Sequence, residues 1–378
     1  MKTRNSPKAR ARVTRRHAGR RTSYATAGVD TTKEESGLKA LVRLLHDTLA
    51  TRPAGLGHVK LPFGFFANVV EVGSTGVAIS TDGVGSKLLV AQLVGTYDTV
   101  GIDCIAMNVN DILCVGAEPL TMVDYIAVQE PNPVLLTELA KGLRAGALIA
   151  GITIPGGEIA QVRDIIKGAR PGFGFDLAGT AIGTVPLDKI RVGGDIEPDD
   201  VVLGLRSTGV HSNGVTLARR LFKKYRPMTH VKELGRALGE ELLVPTRIYV
   251  KEVLDVLRSG IDVKALIHIT SDGLLNLLRV ASNTGYVIHS LPEPHRIFDI
   301  IQRELRVSSE EMYRVYNMGI GFCLVVSHRG DHAGRAKEIL KRHNVECYEI
   351  GRAVPAPEKS LVIEPANLLG KDGRFTKL

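Results

Sequence analysis

Apolar and polar positions along the chain fall into alternating helical and extended runs. Leu38, Leu41, Val42, Leu45 and Leu49 follow one another at steps of 3, 1, 3 and 4 residues. That spacing keeps one stripe on one face and predicts an amphipathic helix over 36–50, which Arg52-Pro53-Ala54-Gly55 ends. A strand over 77–81 runs straight into Asp82-Gly83-Val84-Gly85. Ile102, Ile105, Ala106, Val109, Ile112 and Leu113 line one side of a helix over 101–115, in which Asn108, Asn110 and Asp111 are polar interruptions. A β-rich run over 121–128, a helix over 134–150 and a strand over 178–185 complete the first half.

Residues 186–200 are polar and carry Gly193-Gly194, two Pro and several charges, so a domain boundary is expected there. The second half opens with a strand over 201–205, then 207–214, then a helix over 215–224. A helix over 246–259 follows Pro245. Strands over 267–270 and 320–326 and a helix over 336–343 continue it. Strands and helices alternate in both halves, which predicts an α/β or α+β architecture. The expected organisation is a basic tail at 1–21, a first domain at 22–185, a second at 186–355 and a C-terminal extension at 356–378.

The net charge of +9 changes this picture only at one end. Residues 1–21 hold nine Lys or Arg and no Asp or Glu, so residues 22–378 balance at 40 against 40. A basic surface for nucleic acid is therefore not expected outside the tail, and an aromatic content of 5% without Trp argues against a base-stacking platform. The tail reads as a solvated, disordered extension; an Arg-rich, acid-free start is also what an organelle transit peptide looks like. Cys104, Cys114, Cys323 and Cys347 show no CxxC spacing and three lie in apolar runs, the pattern of free buried thiols in a reducing compartment. No apolar run is long enough to span a bilayer. A cytoplasmic protein is expected.

The strongest local signal is Ser80-Thr81-Asp82-Gly83-Val84-Gly85-Ser86-Lys87. A strand delivers a carboxylate, two glycines let the backbone pass close to a ligand, and a hydroxyl and an ammonium follow. Mg²⁺ takes one or two carboxylates with phosphate oxygens and water, and Lys serves phosphate as a point charge. The spacing is not that of a Walker A loop, and no GxGxxG follows a strand. A hairpin turn with a surface Lys would show the same residues. Asp111 lies opposite the Ile102/Val109 stripe with Asp103 and Asn110 on its flank, facing either solvent or a polar cleft. Gly156-Gly157-Glu158 supplies a third carboxylate after two permissive backbones. His211-Ser212-Asn213-Gly214 follows a strand and precedes a helix, either as a cap or as an anion site.

The order of these segments carries more than any one of them. Tyr24-Ala25-Thr26-Ala27-Gly28-Val29-Asp30, the 81–87 stretch, Asp98-Thr99-Val100-Gly101-Ile102-Asp103, Val109-Asn110-Asp111-Ile112 and Gly116-Ala117-Glu118-Pro119-Leu120 with Asp124-Tyr125 come in succession. Gly156-Gly157-Glu158, Asp176-Leu177-Ala178-Gly179, His211-Ser212-Asn213-Gly214, His268-Ile269-Thr270 and Asn317-Met318-Gly319-Ile320-Gly321 follow. From about residue 24 to 355 the chain resembles the phosphoribosylformylglycinamidine cyclo-ligase (AIR synthetase) family. The resemblance implies a homodimer whose N-terminal sheets pair into a shared barrel, with a C-terminal α/β domain beside it. It implies ATP and Mg²⁺, and phosphorylation of the formyl oxygen of formylglycinamidine ribonucleotide. An amidine nitrogen then attacks that carbon, phosphate leaves, and the ring of aminoimidazole ribonucleotide closes. Carried onto this chain, the nucleotide site comprises Asp82, Gly83, Gly85, Ser86, Lys87, Asp103, Asn110, Asp111, Gly156, Gly157, Glu158 and Asn213. Asp82, Asp111 and Glu158 would hold magnesium, Lys87 the phosphates, and His211 with Asn213 the substrate; Lys87 and His211 are the expected catalytic pair.

Departures from the family pattern fall on the substrate side. Leu61-Pro62-Phe63-Gly64-Phe65-Phe66 has lost glycines, Ile159 replaces a Thr, and Gln161-Val162-Arg163-Asp164 replaces Met-Pro-Gly. Ser271-Asp272-Gly273 stands where three glycines are usual, and Asn276-Leu277-Leu278 where Asn-x-Pro is. Two other readings therefore stay open: a divergent relative of kinase or dehydratase type acting on another small substrate, and a binding protein without catalysis.

Overall fold

The computed structural model describes residues 31–378 apart from Pro357; the basic segment 1–21 and the 24–30 motif lie outside the described residues. Helix α1 (Thr31–His46) continues as a 3-10 turn to Thr51. The first sheet is built from β1 (Asn68–Val72), β2 (Thr75–Gly83), β3 (Glu118–Val128), β4 (Gly157–Gln161) and β5 (Phe175–Pro186), in the order β1-β2-β5-β3-β4. Only the β3–β4 pair is parallel. Between these strands lie α2 (Lys87–Val94), α3 (Asp98–Leu113) and α4 (Pro133–Ala150). Asn132 caps α4 by accepting from the amides of Val134 and Leu135, with Pro133 at the first helical position.

The two faces of this sheet differ because its residues alternate. In the middle of β2 and β5 the inner positions are small (Gly76, Ala78, Ser80, Gly179, Ala181 and Gly183), with larger Phe175, Leu177 and Val185 toward the ends of β5. The small residues let α3 lie close on the sheet; a Cβ on Gly183 would sit 2.5 Å from Ile112 Cγ2. The outer positions Ile79, Val123, Tyr125 and Ile182 are apolar and exposed. Helix α3 is buried almost all round, since α4 covers its far side. Gly101 and Gly142 bring the two helix backbones together: a Cβ on Gly142 would lie 1.8 Å from the Asp98 carbonyl oxygen.

The second sheet has the order β15-β14-β13-β10-β12-β6-β11-β9. Its strands are β6 (Val201–Arg206), β9 (Val263–His268), β10 (Thr284–Ile288), β11 (Ile320–Val326), β12 (Cys347–Pro355), β13 (Leu361–Ile363), β14 (Leu368–Lys371) and β15 (Arg374–Lys377); β7 (His230–Val231) and β8 (Arg236–Ala237) form a separate ribbon. Helices α5 (Val215–Ala218), α6 (Leu238–Leu242), α7 (Val250–Arg258), α8 (Arg296–Leu305), α9 (Ser309–Val315) and α10 (His332–Arg342) complete the half. Strands β6, β9 and β11 are buried on both faces, as apolar runs without alternation require. The mixed α/β class is the expected one. Residues 356–378, set apart in the sequence as an extension, instead supply three strands of this sheet.

Two helices differ from their sequence patterns. The 215–224 helix is one α-turn followed by a 3-10 segment. Helix α7 begins at Val250 instead of 246, because the backbone of 244–249 is committed elsewhere. The amide of Thr246 donates to Asp103, the carbonyl of Arg247 accepts from Asn110, and the amide of Tyr249 donates to Asn110. A helical 246–249 could not offer those groups sideways to α3.

The α3–α4 crossing gives a stability test. Gly142→Ala forces a methyl into backbone and is expected to lower unfolding free energy by about 2–3 kcal/mol in a urea titration. Gly37→Ala, on exposed α1 with open space around it, is expected to cost nothing.

Candidate active site

Asp82 closes β2, and α3 holds it there. Its amide donates to Asn108 Oδ1 (3.0 Å), while Asn108 Nδ2 donates to the carbonyl oxygens of Asp82 (3.1 Å) and Cys104 (2.9 Å). A buried side-chain amide thus pins the strand end by both backbone polar groups of one residue. The Asp82 carboxylate accepts from the Gly83 amide at 2.7 Å. Gly85 follows at φ +68°, a conformation that excludes ordinary side chains; this glycine, more than Gly83, makes the turn. Ser86 meets Thr216 Oγ1 at 2.7 Å and so ties the turn to the second half.

Asp111, on the last turn of α3, faces the same space. Its Oδ1 lies 2.9 Å from Nδ1 of His268, the buried terminal residue of β9. Burial first, and the charge of Asp111 second, push the Asp82 carboxyl up to about 6, against a smaller opposing effect of the Gly83 amide hydrogen bond. Asp82 and Asp111 are therefore electrostatically coupled, and His268 is hydrogen-bonded to the second of them.

Register decides the third carboxylate. Asp82 pairs with Gly179, Gly179 with Asp124 and Asp124 with Gly157, so all four lie in one row on the α3 face. Glu158 lies in the next row beside Tyr125, exposed and on the opposite face. Three strand spacings of about 4.8 Å also separate it from Asp82. The sequence expectation that Glu158 shares an ion with Asp82 and Asp111 within this chain does not hold. Asp124, which the Asp124-Tyr125 motif carries but which was not expected in the site, occupies the inner position instead. Burial raises its carboxyl above the usual range, and a Cβ on Gly157 would meet its Oδ1 at 2.4 Å. Gly157 is thus small to make room for Asp124. Gly156 is exposed with open space around it.

Lys87 also departs from expectation. It is fully buried, with Nζ 2.9 Å from both oxygens of Asp103 and 2.7 Å from the Val244 carbonyl oxygen. Asp103 Oδ1 further accepts from the amide (2.7 Å) and hydroxyl (2.6 Å) of Thr246. Lys87 is not an exposed point charge for phosphate; with Asp103 and Asn110 it joins the two halves. The helix after His211-Ser212-Asn213-Gly214 is a single turn without a side-chain cap, so the anion-site and capping alternatives both fall away.

His211 keeps functional character. It is buried at φ +63°, a left-handed backbone that non-glycine residues seldom adopt. Its Nε2 accepts from the Thr208 amide at 3.1 Å, which leaves the proton on Nδ1, and Nδ1 is buried without a protein partner. Burial, more than any neighbouring charge, holds this imidazole well below its usual range, so it is neutral. Asn213 Oδ1 accepts from Ser271 Oγ at 2.9 Å. Ser271 therefore fastens the 207–214 loop to the Ser271-Asp272-Gly273 turn, where Asp272 takes φ +72°.

A second carboxylate–histidine cluster, Glu197, Asp200 and His328, has ligand-like spacing among the described residues. Lys264 lies 3.1 Å from Asp200 and Arg329 2.7 Å from Glu197. Two cations already balance it, so it reads as a salt-bridge network.

Residues 66–185 match the family model for AIR synthase related protein, N-terminal domain, and residues 197–364 the model for the C-terminal domain. Phosphoribosylformylglycinamidine cyclo-ligase of Methanothermobacter thermautotrophicus is 47% identical over 310 residues, 81% of this chain and 88% of that protein. The Pyrococcus furiosus protein of the same name is 46% identical over 335 residues, 89% and 96% of the two chains. Among solved structures, AaThiL complexed with AMPPCP and TMP superposes with a TM-score of 0.60 at 15% identity, covering 86% of this chain and 92% of its own. Escherichia coli HypE gives 0.55 at 18%, covering 80% and 84%; at such identities these two bear on the fold alone. Family models that span most of the chain, and relatives near 45% identity along nearly their whole length, establish that the chain belongs to the phosphoribosylformylglycinamidine cyclo-ligase branch of the AIR synthase family.

Proposed function

We propose that this chain closes the imidazole ring of aminoimidazole ribonucleotide from formylglycinamidine ribonucleotide, at the expense of ATP, with Mg²⁺ held by Asp82 and Asp111. The observation that carries the metal assignment is the Asp82 carboxyl, which burial first and the charge of Asp111 second push up to about 6. Two hard oxygen donors are brought together, half-buried, and one is driven toward its protonated form in part by the other's charge. A divalent cation relieves that repulsion, and two carboxylates are the protein ligands Mg²⁺ ordinarily takes. Bound there, Mg²⁺ would supply charge neutralisation for phosphate oxygens.

The chain's own groups do the rest. Asn108 fixes where Asp82 stands, and Asp124 adds negative potential on the same face. Gly85 and the backbone of 83–86 allow a phosphate chain to approach. Neutral His211 presents Nδ1–H as a donor toward the substrate, and its Thr208 contact keeps the proton on that nitrogen. Asn213, tied to Ser271, orients the substrate from the second half. Lys87 acts through Asp103 to hold the two halves in register. The chemistry asks chiefly for positioning and charge stabilisation, because phosphorylation turns a poor leaving oxygen into a good one.

The functional unit in this reading is a homodimer through the outer face of the first sheet. Ile79 and Ile182, paired across β2 and β5, and Val123 and Tyr125 on the neighbouring β3 are exposed apolar side chains on that face. The free thiols of Cys104, Cys114, Cys323 and Cys347 suit the cytoplasm, and among the described residues no helix is long and apolar enough to cross a membrane.

Purified protein given ATP, Mg²⁺ and formylglycinamidine ribonucleotide is expected to release aminoimidazole ribonucleotide; no product above a no-enzyme control rejects the reading. Asp82→Asn is expected to lower kcat by about 100-fold or more. The same substitution has a stability signature of opposite sign. Asp82 keeps its proton to about pH 6 in the fold, against 3.8 for an ordinary aspartate. The native state is therefore favoured at low pH and loses that advantage as pH rises through about 6. In chelator at pH 8, Asp82→Asn is expected to raise unfolding free energy by about 1–3 kcal/mol, the gain vanishing near pH 4. Val123→Lys places a charge in the outer face and is expected to halve the mass measured by light scattering; an unchanged mass places the dimer contact elsewhere.

A further inference from the structure

His268 lies between the two halves, and both of its ring nitrogens have polar neighbours. Nδ1 is 2.9 Å from Asp111 Oδ1 and Nε2 is 3.4 Å from Asn110 Nδ2. The side chain is fully buried, its amide donates to Cys114 Sγ at 3.2 Å, and its ring packs against Phe322. The ring therefore has one setting. Which nitrogen carries the proton follows from the backbone beyond it.

The Asn110 amide can be oriented in one way only. Its Oδ1 faces the Tyr249 amide at 3.0 Å, which can only donate. Its Nδ2 faces the Arg247 carbonyl oxygen at 2.9 Å, which can only accept. The group that Asn110 turns toward His268 is thus an N–H, and Nε2 must accept. The ring proton then resides on Nδ1, where it points at Asp111. Four groups in series, from the backbone of 247–249 to the carboxylate, have their donor and acceptor roles fixed.

We propose that Asn110 and His268 form a positioning relay that fixes the Asp111 carboxylate, through a single imidazole tautomer, in the orientation that receives a divalent cation beside Asp82. The proposal rests on the metal reading above and adds to it how the ligand is held. A carboxylate at a helix end can rotate about two side-chain torsions. An N–H donated to one oxygen removes that freedom and leaves the other oxygen for the cation. Loss of such a supporting donor ordinarily weakens metal binding by about 10- to 100-fold. The relay also makes the cation site depend on the docking of 244–249 onto α3, because the tautomer is set there.

Two replacements separate the nitrogens. Asn at 268 can place an N–H near the position of Nδ1, and Gln can place one near Nε2. Mn²⁺ binding to the full chain, with a non-hydrolysable ATP analogue present, is read from the free-ion signal in electron paramagnetic resonance. Circular dichroism and thermal melting verify folding. His268→Gln is expected to weaken Mn²⁺ binding by about tenfold or more, and His268→Asn to stay within about threefold of the parent. The Mg²⁺ concentration for half-maximal turnover is expected to move in the same order, with kcat at saturating Mg²⁺ changing less. Equal Mn²⁺ affinity in the parent and a folded Gln variant overturns the relay, as does a tenfold loss in a folded Asn variant; the Asn variant decides the matter alone if the Gln variant is unfolded. Asp111→Asn distinguishes the two levels. If it leaves Mn²⁺ affinity unchanged, the metal assignment fails and the relay with it. If it abolishes binding while His268→Gln does not, the relay alone fails.

Discussion

A helix buried on nearly every side must find partners for its polar side chains, and the rest of this molecule is arranged around that requirement. Helix α3 carries Asp103, Asn108 and Asn110, all fully buried. Asn108 spends its amide on the end of β2 and on its own helix; Asp103 and Asn110 have no such local solution. The segment 244–249 supplies it by staying unwound and offering amides and a carbonyl sideways. Lys87 brings the balancing charge from α2. Removing one partner of a buried pair typically costs about 3–5 kcal/mol, because the other is left without compensation. The two halves consequently meet in one register. That register is what brings His268 of the second sheet to Asp111 of the first.

The same economy of side chains explains the first sheet. Small inner residues on β2 and β5 allow α3 to approach, and the approach puts Asp82 and Asp111 within electrostatic reach. Gly179 stands between Asp82 and Asp124 in their row and fills none of the space between the two carboxylates. The cost is a native state with a carboxyl forced up to about 6 and a histidine held in left-handed backbone. Such strain persists where the surrounding structure over-determines it, and it concentrates at sites of function. In the second half Asn317 plays the corresponding role: its amide accepts from Ser207 and Gly319 and donates to the carbonyls of Gly209 and Val210, bracing the loop that carries His211.

The 271–273 turn and the 61–66 loop take definite roles in the fold. Ser271 supplies a hydroxyl that fastens Asn213, and Gly273 stands where a Cβ would sit 2.1 Å from the Tyr313 carbonyl oxygen. In the 61–66 loop, Gly64 offers its carbonyl to Arg279, whose guanidinium lies over the Phe66 ring. These contacts replace backbone freedom with side-chain anchorage between the halves, which leaves the carboxylate group untouched.

Several strands and helices, such as those at 68–72, 87–94, 284–288 and 296–305, escaped the sequence reading; what the sequence determined by itself is the alternation of strands and helices, the mixed α/β class and the family. Each is written in local periodicity or in ordered motifs, and local physics suffices to read them. It could not rank the polar residues of α3, because helical spacing says which side a residue takes but not whether a second domain covers it. Lys87, Asp103 and Asn110 thus looked like ligand-binding groups and proved to be the joint. Glu158 followed two glycines in a motif, yet strand pairing set it on the opposite face; register is a property of the sheet, since a shift of one residue exchanges the two faces. His268 and Asp124 carried no local signal beyond a motif position, and only the meeting of separate segments gave them partners. Chain-local patterns are fixed by nearest neighbours, whereas convergence of charges and the direction of a side chain are decided by contacts between residues about 100 or more positions apart, such as Asp111 with His268 and Asp82 with Gly179.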